Sequence, residues 1–320
     1  MDLVFVTLFD SGYLSRGMVM YESLLSVCDQ FKLYIIAFDE MAYKTLCSYN
    51  LKNTIIIPLT VFEDDELLSV KNSRSRGEYC WTSTPKSILY IFEKYNEDIC
   101  TYIDADLFFF STPQVLIDEL KDNDVLITEH RYSDYCNQEK SAGKYCVQFM
   151  TFRNTNNSAN ILKWWKERCL ENCGHDIEKG ICGDQKYLDD WMERFEGVHE
   201  LNNIGGGVAP WNVNQYAFFL KDDILFMEEL ATEKIEKVIF YHLHGLVFFD
   251  KNVVRLTSQR YIIPNTAVIH IYGKYFRSSD YIKQKYGLDK SPTFFNEQHF
   301  RDEPNNLIKE KNYYLINEFL

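Results

Sequence analysis

No apolar run in this 320-residue chain approaches the ~20 residues that a bilayer-spanning helix needs. No basic region with a cleavage site precedes the first strand-like segment, Leu3–Leu8, so no export signal is read there. The nine cysteines (28, 47, 80, 100, 136, 146, 169, 173 and 182) are odd in number and contain no Cys-x-x-Cys pair, a pattern expected of a reducing compartment. Cys169, Cys173, His175 and Cys182 fit no usual zinc spacing. A basic excess is also missing: the net charge of −13 argues against generic nucleic-acid binding. Neither an internal repeat nor a low-complexity tract is visible. The expectation is a soluble, cytoplasmic protein.

What is present suits a large core: 46% hydrophobic residues, with 22 Tyr and 23 Phe. Most of these rings are expected in the core, although aromatic faces also suit sugars and bases. Charge is unevenly spread. Residues 251–290 carry eight Lys/Arg against Asp280 and Asp289, a local +6 beside −19 for the remainder, interleaved with Tyr261, Tyr272, Tyr275, Phe276, Tyr281 and Tyr286. Such a segment could rest on an anionic membrane surface at its inner face, hold an anionic acceptor, or be a solvated face.

Strands and helices alternate through the first half. Strands are read at 3–8, Lys32–Phe38, Thr54–Pro58, 99–103, Val125–Thr128 and Val147–Phe152. Helices are read at Ser15–Cys28, Glu40–Tyr49, about 156–170, and from Thr84 (N-cap) and Pro85 (N1) to Tyr95. Thr112-Pro113 opens a further helix, and 129–145 is a polar loop long enough to carry function. This order predicts an α/β fold: an open, mostly parallel sheet flanked by helices over residues 1–250, with a basic, aromatic C-terminal appendage over 251–320. Ligands of such sheets bind beyond the carboxyl ends of the strands.

At one such end stands Tyr102-Ile103-Asp104-Ala105-Asp106. Two carboxylates in apolar surroundings are costly unless their charge is compensated. A divalent cation carrying a phosphorylated ligand would do so; single aspartates at strand ends also serve as caps and turn formers. Farther on, Tyr241-His242-Leu243-His244-Gly245 follows an apolar strand, and alternation turns His242 and His244 to one face. Imidazole is a ligand for a metal such as Mn²⁺, and Gly245 lets the backbone approach a ligand; a buried, satisfied core histidine is the competing expectation. Asp184, after Gly183, is either a helix cap or, with Gln185, a group pointing into a cleft. Gly205-Gly206-Gly207 is read as flexible backbone, leading to Pro210-Trp211-Asn212, an aromatic and an amide suited to a sugar. Lys86, in the first turn of its predicted helix, is placed to reach a phosphate or else is a plain surface lysine.

Taken in order, these motifs resemble the retaining, metal-dependent glycosyltransferases of the GT-A fold, most of all family 8, which includes glycogenin and bacterial lipopolysaccharide glycosyltransferases. Val6-Thr7-Leu8-Phe9 with Tyr13, Thr84-Pro85-Lys86-Ser87, Asp104-Ala105-Asp106, Gly183-Asp184-Gln185-x-x-Leu188 and His242-x-x-Gly245 carry the likeness over residues 1–250. The resemblance implies transfer of a hexose from a nucleotide sugar, UDP-linked, to a glycan or lipid-linked saccharide, with retention. Asp104, Asp106 and His242 (His244 as the alternative) would hold Mn²⁺ or Mg²⁺; Thr7, Phe9 and Tyr13 would hold base and ribose. Lys86, Ala105 and Gly245 would contact the donor. Gln148, Asp184 and Gln185 would line the sugar, with Gln185 and Asp184 nearest the chemistry. Two departures stand out. Val247-Phe248-Phe249-Asp250 replaces the family's Lys-Pro-Trp, so Lys251, Arg255, Arg16 or Lys86 would have to supply the missing cation. Gln148-Phe149 also replaces the usual Asn-Ser/Ala-Gly. Two other functions compete: a haloacid-dehalogenase-type phosphohydrolase, disfavoured because the Asp-x-Asp is late in the chain and followed by Leu107, and a non-catalytic nucleotide-sugar or carbohydrate-binding protein.

Overall fold

The computed structural model describes residues 3–249, 253–288 and 312–320. Its centre is a seven-stranded sheet. The strands are β1 (Leu3–Phe9), β2 (Phe31–Ala37), β3 (Thr54–Pro58) and β4 (Ile99–Ile103). After β5 (Leu107–Phe109), which lies outside this sheet, come β6 (Val125–Glu129), β7 (Tyr145–Arg153) and the edge strand Val198–Glu200. Their spatial order is β3-β2-β1-β4-β7-β6 and then the edge strand; only β7 runs against the rest. The expected open, mostly parallel sheet is therefore present.

β1 and β4 occupy the middle because they can be buried on both faces. All seven residues of Leu-Val-Phe-Val-Thr-Leu-Phe in β1 are buried, and so are all five of β4. Strand alternation sends Leu3, Phe5 and Phe9 to one core, shared with the helix Leu14–Val27, and Val4, Val6 and Leu8 to the other. The second core is closed by the helices Arg76–Tyr95 and Asn156–Glu171, through Ile88, Ile91, Ile161 and Trp165.

The helix before β4 starts nine residues earlier than Thr84-Pro85 predicts. Ser75 and Glu78 form a capping box, with Glu78 N donating to Ser75 Oγ at 3.3 Å and Ser75 N to Glu78 Oε2 at 2.7 Å. Pro85 sits inside the helix. An interior proline costs about 3 kcal/mol; burial of Ile88, Leu89 and Ile91, at about 1.5–3 kcal/mol each, offsets it. Lys86 is consequently mid-helix, well past its own helix's first turn.

One further expectation changes with packing. The Gly205–Gly207 stretch is tightly packed, not loose: a Cβ on Gly205 would lie 2.0 Å from the carbonyl oxygen of Lys237, and Gly207 takes φ +92°. Beyond residue 246, Val247–Phe248 pairs with Val253–Arg255, which pairs in turn with Tyr313–Leu315. The helix Gly273–Tyr286 lies on Leu14–Val27, with Lys285 Nζ 2.7 Å from Glu22 Oε1. Lys251, Asp289 and Lys290 lie outside the described residues. Among the described residues no helix is long and apolar enough to cross a membrane.

Candidate metal centre

β4 ends at Ile103, and the next three residues turn at the sheet's carboxyl edge. Asp104 is anchored from two sides: its amide donates to the Gln148 carbonyl on β7 at 3.0 Å, and the Tyr102 hydroxyl donates to its Oδ1 at 3.0 Å. The chain then continues into β5, which pairs antiparallel with the strand Phe240–His242, placing His242 opposite Leu107. Leu243 N donates to Asp106 O at 3.0 Å, and His242 N to Val208 O at 2.9 Å. Backbone pairing thus brings His242 beside Asp106 and Asp104, 136 and 138 positions earlier in the chain.

His242 Nε2 lies 3.1 Å from Asp106 Oδ1 and 3.7 Å from Asp104 Oδ2. On the other side of the ring, Nδ1 is 2.8 Å from Gln148 Oε1, and both side chains are buried. An amide oxygen only accepts, so Nδ1 carries the proton and Nε2 faces the carboxylates. One ligand atom from each of Asp104, Asp106 and His242 lies within 4.8 Å of the others. His244 stands outside that cluster, its ring 5.7 Å from that of His242.

The electrostatics of the trio are those of a site short of positive charge. Burial and then the neighbouring Asp106 push the Asp104 carboxyl up to about 6, against the opposing pull of His242. Burial opposes the charge on Asp106 too, but His242 outweighs it and holds that carboxyl at about 2. The imidazole itself is raised well above its usual range: burial disfavours its charge, yet Asp106 and Asp104 favour it more. Two carboxylates and one imidazole with a free nitrogen are a donor set suited to Mn²⁺ or Mg²⁺. The residues fit such an ion.

Around the trio is a cavity of about 760 Å³. Of the residues singled out in the sequence, Phe9, Tyr13, Ala105, Asp184, Gln185 and His244 line it. Asp184 is buried, and burial, then the charge of Asp104, pushes its carboxyl up to about 7 against a hydrogen bond from Thr84. Its side chain makes no helix cap; the Trp165 indole donates to its backbone oxygen at 2.9 Å. Gln185 Nε2 donates to Ala142 O at 2.7 Å.

Other predicted residues are elsewhere. Thr7 is fully buried within β1, so it does not reach the cavity. Lys86 is buried and pairs with Asp64, its ammonium 5.6 Å from the Phe62 ring, and is not among the residues lining the cavity. Gln148 lies behind His242 and lines nothing. Gly245, at φ +74°, lies against Thr257, where a Cβ would come within 3.2 Å of Oγ1, and is not among the residues lining the cavity. Asn212 spends its amide on His130 O, Gly207 O and Ala209 N, whereas Trp211 does line the cavity. Arg16 stacks on Tyr13 at 4.6 Å and donates to Leu246 O at 2.7 Å; Arg255 stacks on Phe249 at 5.8 Å.

Sequence reasoning passed over Arg76, Trp81, His130, Tyr132 and Gln138, which line the cavity together with Asp10, at the end of the first strand, and Arg260, in the basic aromatic segment. Asp10 Oδ1 accepts from Gly12 N at 2.9 Å and Tyr13 N at 3.2 Å, while Oδ2 is 2.9 Å from Arg76 Nη1. The capping box at Ser75 would have placed Arg76, one residue on, at a helix start; the others have no local signal.

No family model matches the chain. Among solved structures, it is similar to the galactosyltransferase LgtC in complex with donor and acceptor sugar analogues, with 16% identity, 93% of this chain and 100% of that one covered, and a TM-score of 0.48. It is also similar to mouse xyloside xylosyltransferase 1, with 13% identity, 76% and 97% covered, and a TM-score of 0.47. At these scores the fold assignment rests on the sheet topology above. In sequence, the chain is 30% identical over 275 residues to the uncharacterized protein YfnD of Bacillus subtilis (strain 168), covering 85% of this chain and 86% of that protein. The chain belongs to the same family as YfnD.

Proposed function

We propose that this protein is a metal-dependent glycosyltransferase of the GT-A type. It would move a hexose from a nucleotide sugar, UDP-linked by the resemblance of its motifs, to a saccharide or lipid-linked glycan. The observation that carries this reading is the Asp104–Asp106–His242 trio at the carboxyl end of the central strand, inside a cavity walled by Phe9, Tyr13, Tyr132 and Trp211. Mn²⁺ or Mg²⁺ held by the trio would neutralise charge on the leaving diphosphate.

The chain's own residues do the rest. Phe9 and Tyr13 flank the nucleotide, and Asp10 is pre-oriented by the Gly12 and Tyr13 amides and by Arg76. Asp184 binds a sugar hydroxyl. Gln185, held by Ala142, stands beside the anomeric carbon. With retention, the acceptor oxygen bonds to that carbon on the face from which the diphosphate departs. The bond to the phosphate oxygen breaks, and the acceptor's hydroxyl proton passes to that oxygen. Gln148 keeps the His242 proton on Nδ1 and leaves Nε2 for the metal.

The test is to supply Mn²⁺ with a panel of nucleotide sugars and measure free nucleoside diphosphate. Release from one donor, lost in Asp104→Asn and Asp106→Asn, supports the transferase. Release of inorganic phosphate from phosphomonoesters supports a hydrolase instead, and thermal stabilisation by a donor without turnover supports a binding protein.

A further inference from the structure

We infer that the cavity wall formed by Tyr132, Gln138, Trp211, Arg260 and Tyr261 recognises an anionic group, a phosphate or carboxylate, carried by the acceptor, with Arg260 as its counter-charge. The acceptor assignment rests on the transferase reading above; the anion site rests on the following observations.

The Lys/Arg side chains that line the cavity are Arg76 and Arg260. Arg76 is already neutralised by Asp10 at 2.9 Å. Arg260 has no carboxylate within ion-pair distance among the described residues; its Nη1 donates to the neutral Gln138 Oε1 at 2.7 Å. A guanidinium has five N–H donors in a planar fork that matches a carboxylate or phosphate; this one is exposed and lines the cavity.

Arg260 is also held, unlike a freely solvated surface cation. Gln138, which accepts from it, donates through Nε2 to the Tyr261 hydroxyl at 3.0 Å. Ile262 N donates to the Tyr135 hydroxyl at 2.7 Å. Asn312 Nδ2 donates to Tyr261 O at 2.9 Å and Ser258 O at 3.2 Å. The 258–262 segment is therefore stitched to the 135–138 loop and to residue 312, and the charge is presented from a fixed place. A fixed cation loses less entropy on meeting an anion than a mobile one.

The surroundings match a charged saccharide. Tyr261 packs with Trp211 and Tyr132, and Tyr132 stacks on His130 at 4.6 Å, giving apolar faces for a sugar ring. The acids lining the cavity have other company: Asp104 and Asp106 face His242, Asp184 faces Thr84, and Asp10 faces Arg76. In a chain of net charge −13, this wall is where an anionic substrate meets uncompensated positive charge.

Geometry favours the acceptor over the donor. The donor's nucleotide takes the Phe9–Tyr13 side and its diphosphate the trio. Ser258, two residues before Arg260, lies against the His244–Gly245 turn, where a Gly245 Cβ would be 3.4 Å from Ser258 N. His244, in that turn, stands outside the ligand cluster, its ring 5.7 Å from that of His242. We therefore assign Arg260 to the part of the cavity left for the second substrate.

Calorimetric titration of the protein loaded with Mn²⁺ and UDP tests this, using a hexose, its 6-phosphate and its uronate as probes. The wild type is expected to bind one or both anionic probes at least about 10-fold more tightly than the neutral hexose. Arg260→Gln should erase that preference and leave Mn²⁺–UDP affinity unchanged, and Arg260→Lys should retain part of it. The stronger of the two anionic probes identifies phosphate or carboxylate as the group bound. Equal binding of neutral and anionic probes overturns the inference alone. Weaker Mn²⁺–UDP binding in Arg260→Gln overturns it too, by making Arg260 a donor contact. Failure of the wild type to bind Mn²⁺–UDP at all removes the transferase reading, and the acceptor assignment with it.

Discussion

The two walls of the cavity are built by different means. On one wall Asp104, Asp106 and His242 are set by strand pairing: Asp104 N on Gln148 O, Leu243 N on Asp106 O, and His242 opposite Leu107 in the ladder. On the other, Tyr132, Gln138, Arg260 and Tyr261 sit on loops joined by side-chain bonds, chiefly those of Gln138. Chemistry that needs fixed ligand distances has been placed where the backbone supplies the geometry. Recognition, which varies with substrate, is placed where a few side chains can be exchanged without disturbing the sheet.

Several substitutions would break or sharpen that contrast. The largest effect is expected from Asp106→Asn. It removes a ligand and the carboxylate nearest His242, and Mn²⁺ affinity measured by calorimetry should fall at least about 100-fold, with little change in melting temperature. Gln148→Leu keeps the strand but removes the acceptor for His242 Nδ1. Mn²⁺ affinity should drop roughly 10- to 100-fold, the usual cost of losing a group that orients a ligand. An unchanged affinity would mean that strand pairing alone orients the imidazole.

Asp184→Asn probes the cost of a buried carboxyl. Its folded carboxyl sits at about 7, above the ordinary 3.8. The folded form therefore binds its proton more tightly than the unfolded chain, and stability is lost as pH rises from about 4 through 7. The variant should melt higher than the wild type at pH 8 and show no gain at pH 4; a gain equal at both would refute this origin. For Lys86→Met, the pair with half-exposed Asp64 is lost, at a cost of about 1–2 kcal/mol, or roughly 1–3 °C in melting temperature. Mn²⁺ and nucleotide affinities should not move; if they do, Lys86 reaches the site after all. Gln138→Leu should have the smallest effect on the metal wall, leaving Mn²⁺ affinity intact, while weakening binding of the anionic probes a few-fold by freeing Arg260.

Much of the strand wall was legible in sequence. A five-residue apolar run ending in Asp104-Ala105-Asp106 marks a strand terminus, where ligands of an open sheet bind; the strand ending in His242 reaches the same place by pairing with β5 outside that sheet. Even the choice of His242 over His244 agrees with the trio. Local signals also misled. Thr84-Pro85 is a good helix start in isolation, but the Ser75–Glu78 capping box and burial of the following turns carry the helix through the proline. Lys86 then falls on the buried side, beside Asp64. Gln148 is placed at the sugar by the family resemblance alone; in the fold its side-chain oxygen lies 2.8 Å from His242 Nδ1.

The amino-acid sequence by itself determined what depends on neighbours along the chain: the order of strands and helices, the buried runs that become β1 and β4, and the ligand types at their ends. Tertiary structure alone decided which long-range partners meet. It made Gln148 the acceptor for His242 Nδ1, gave Lys86 to Asp64 and Arg76 to Asp10, and left Arg260 without a carboxylate in the cavity wall. The reason is physical. Periodicity and capping act over a few residues, whereas these pairings join positions 22 to 122 residues apart and form only when the sheet has closed. The two aspartates announce a metal site early; the other wall, and the charge it offers a ligand, exists only in the folded molecule.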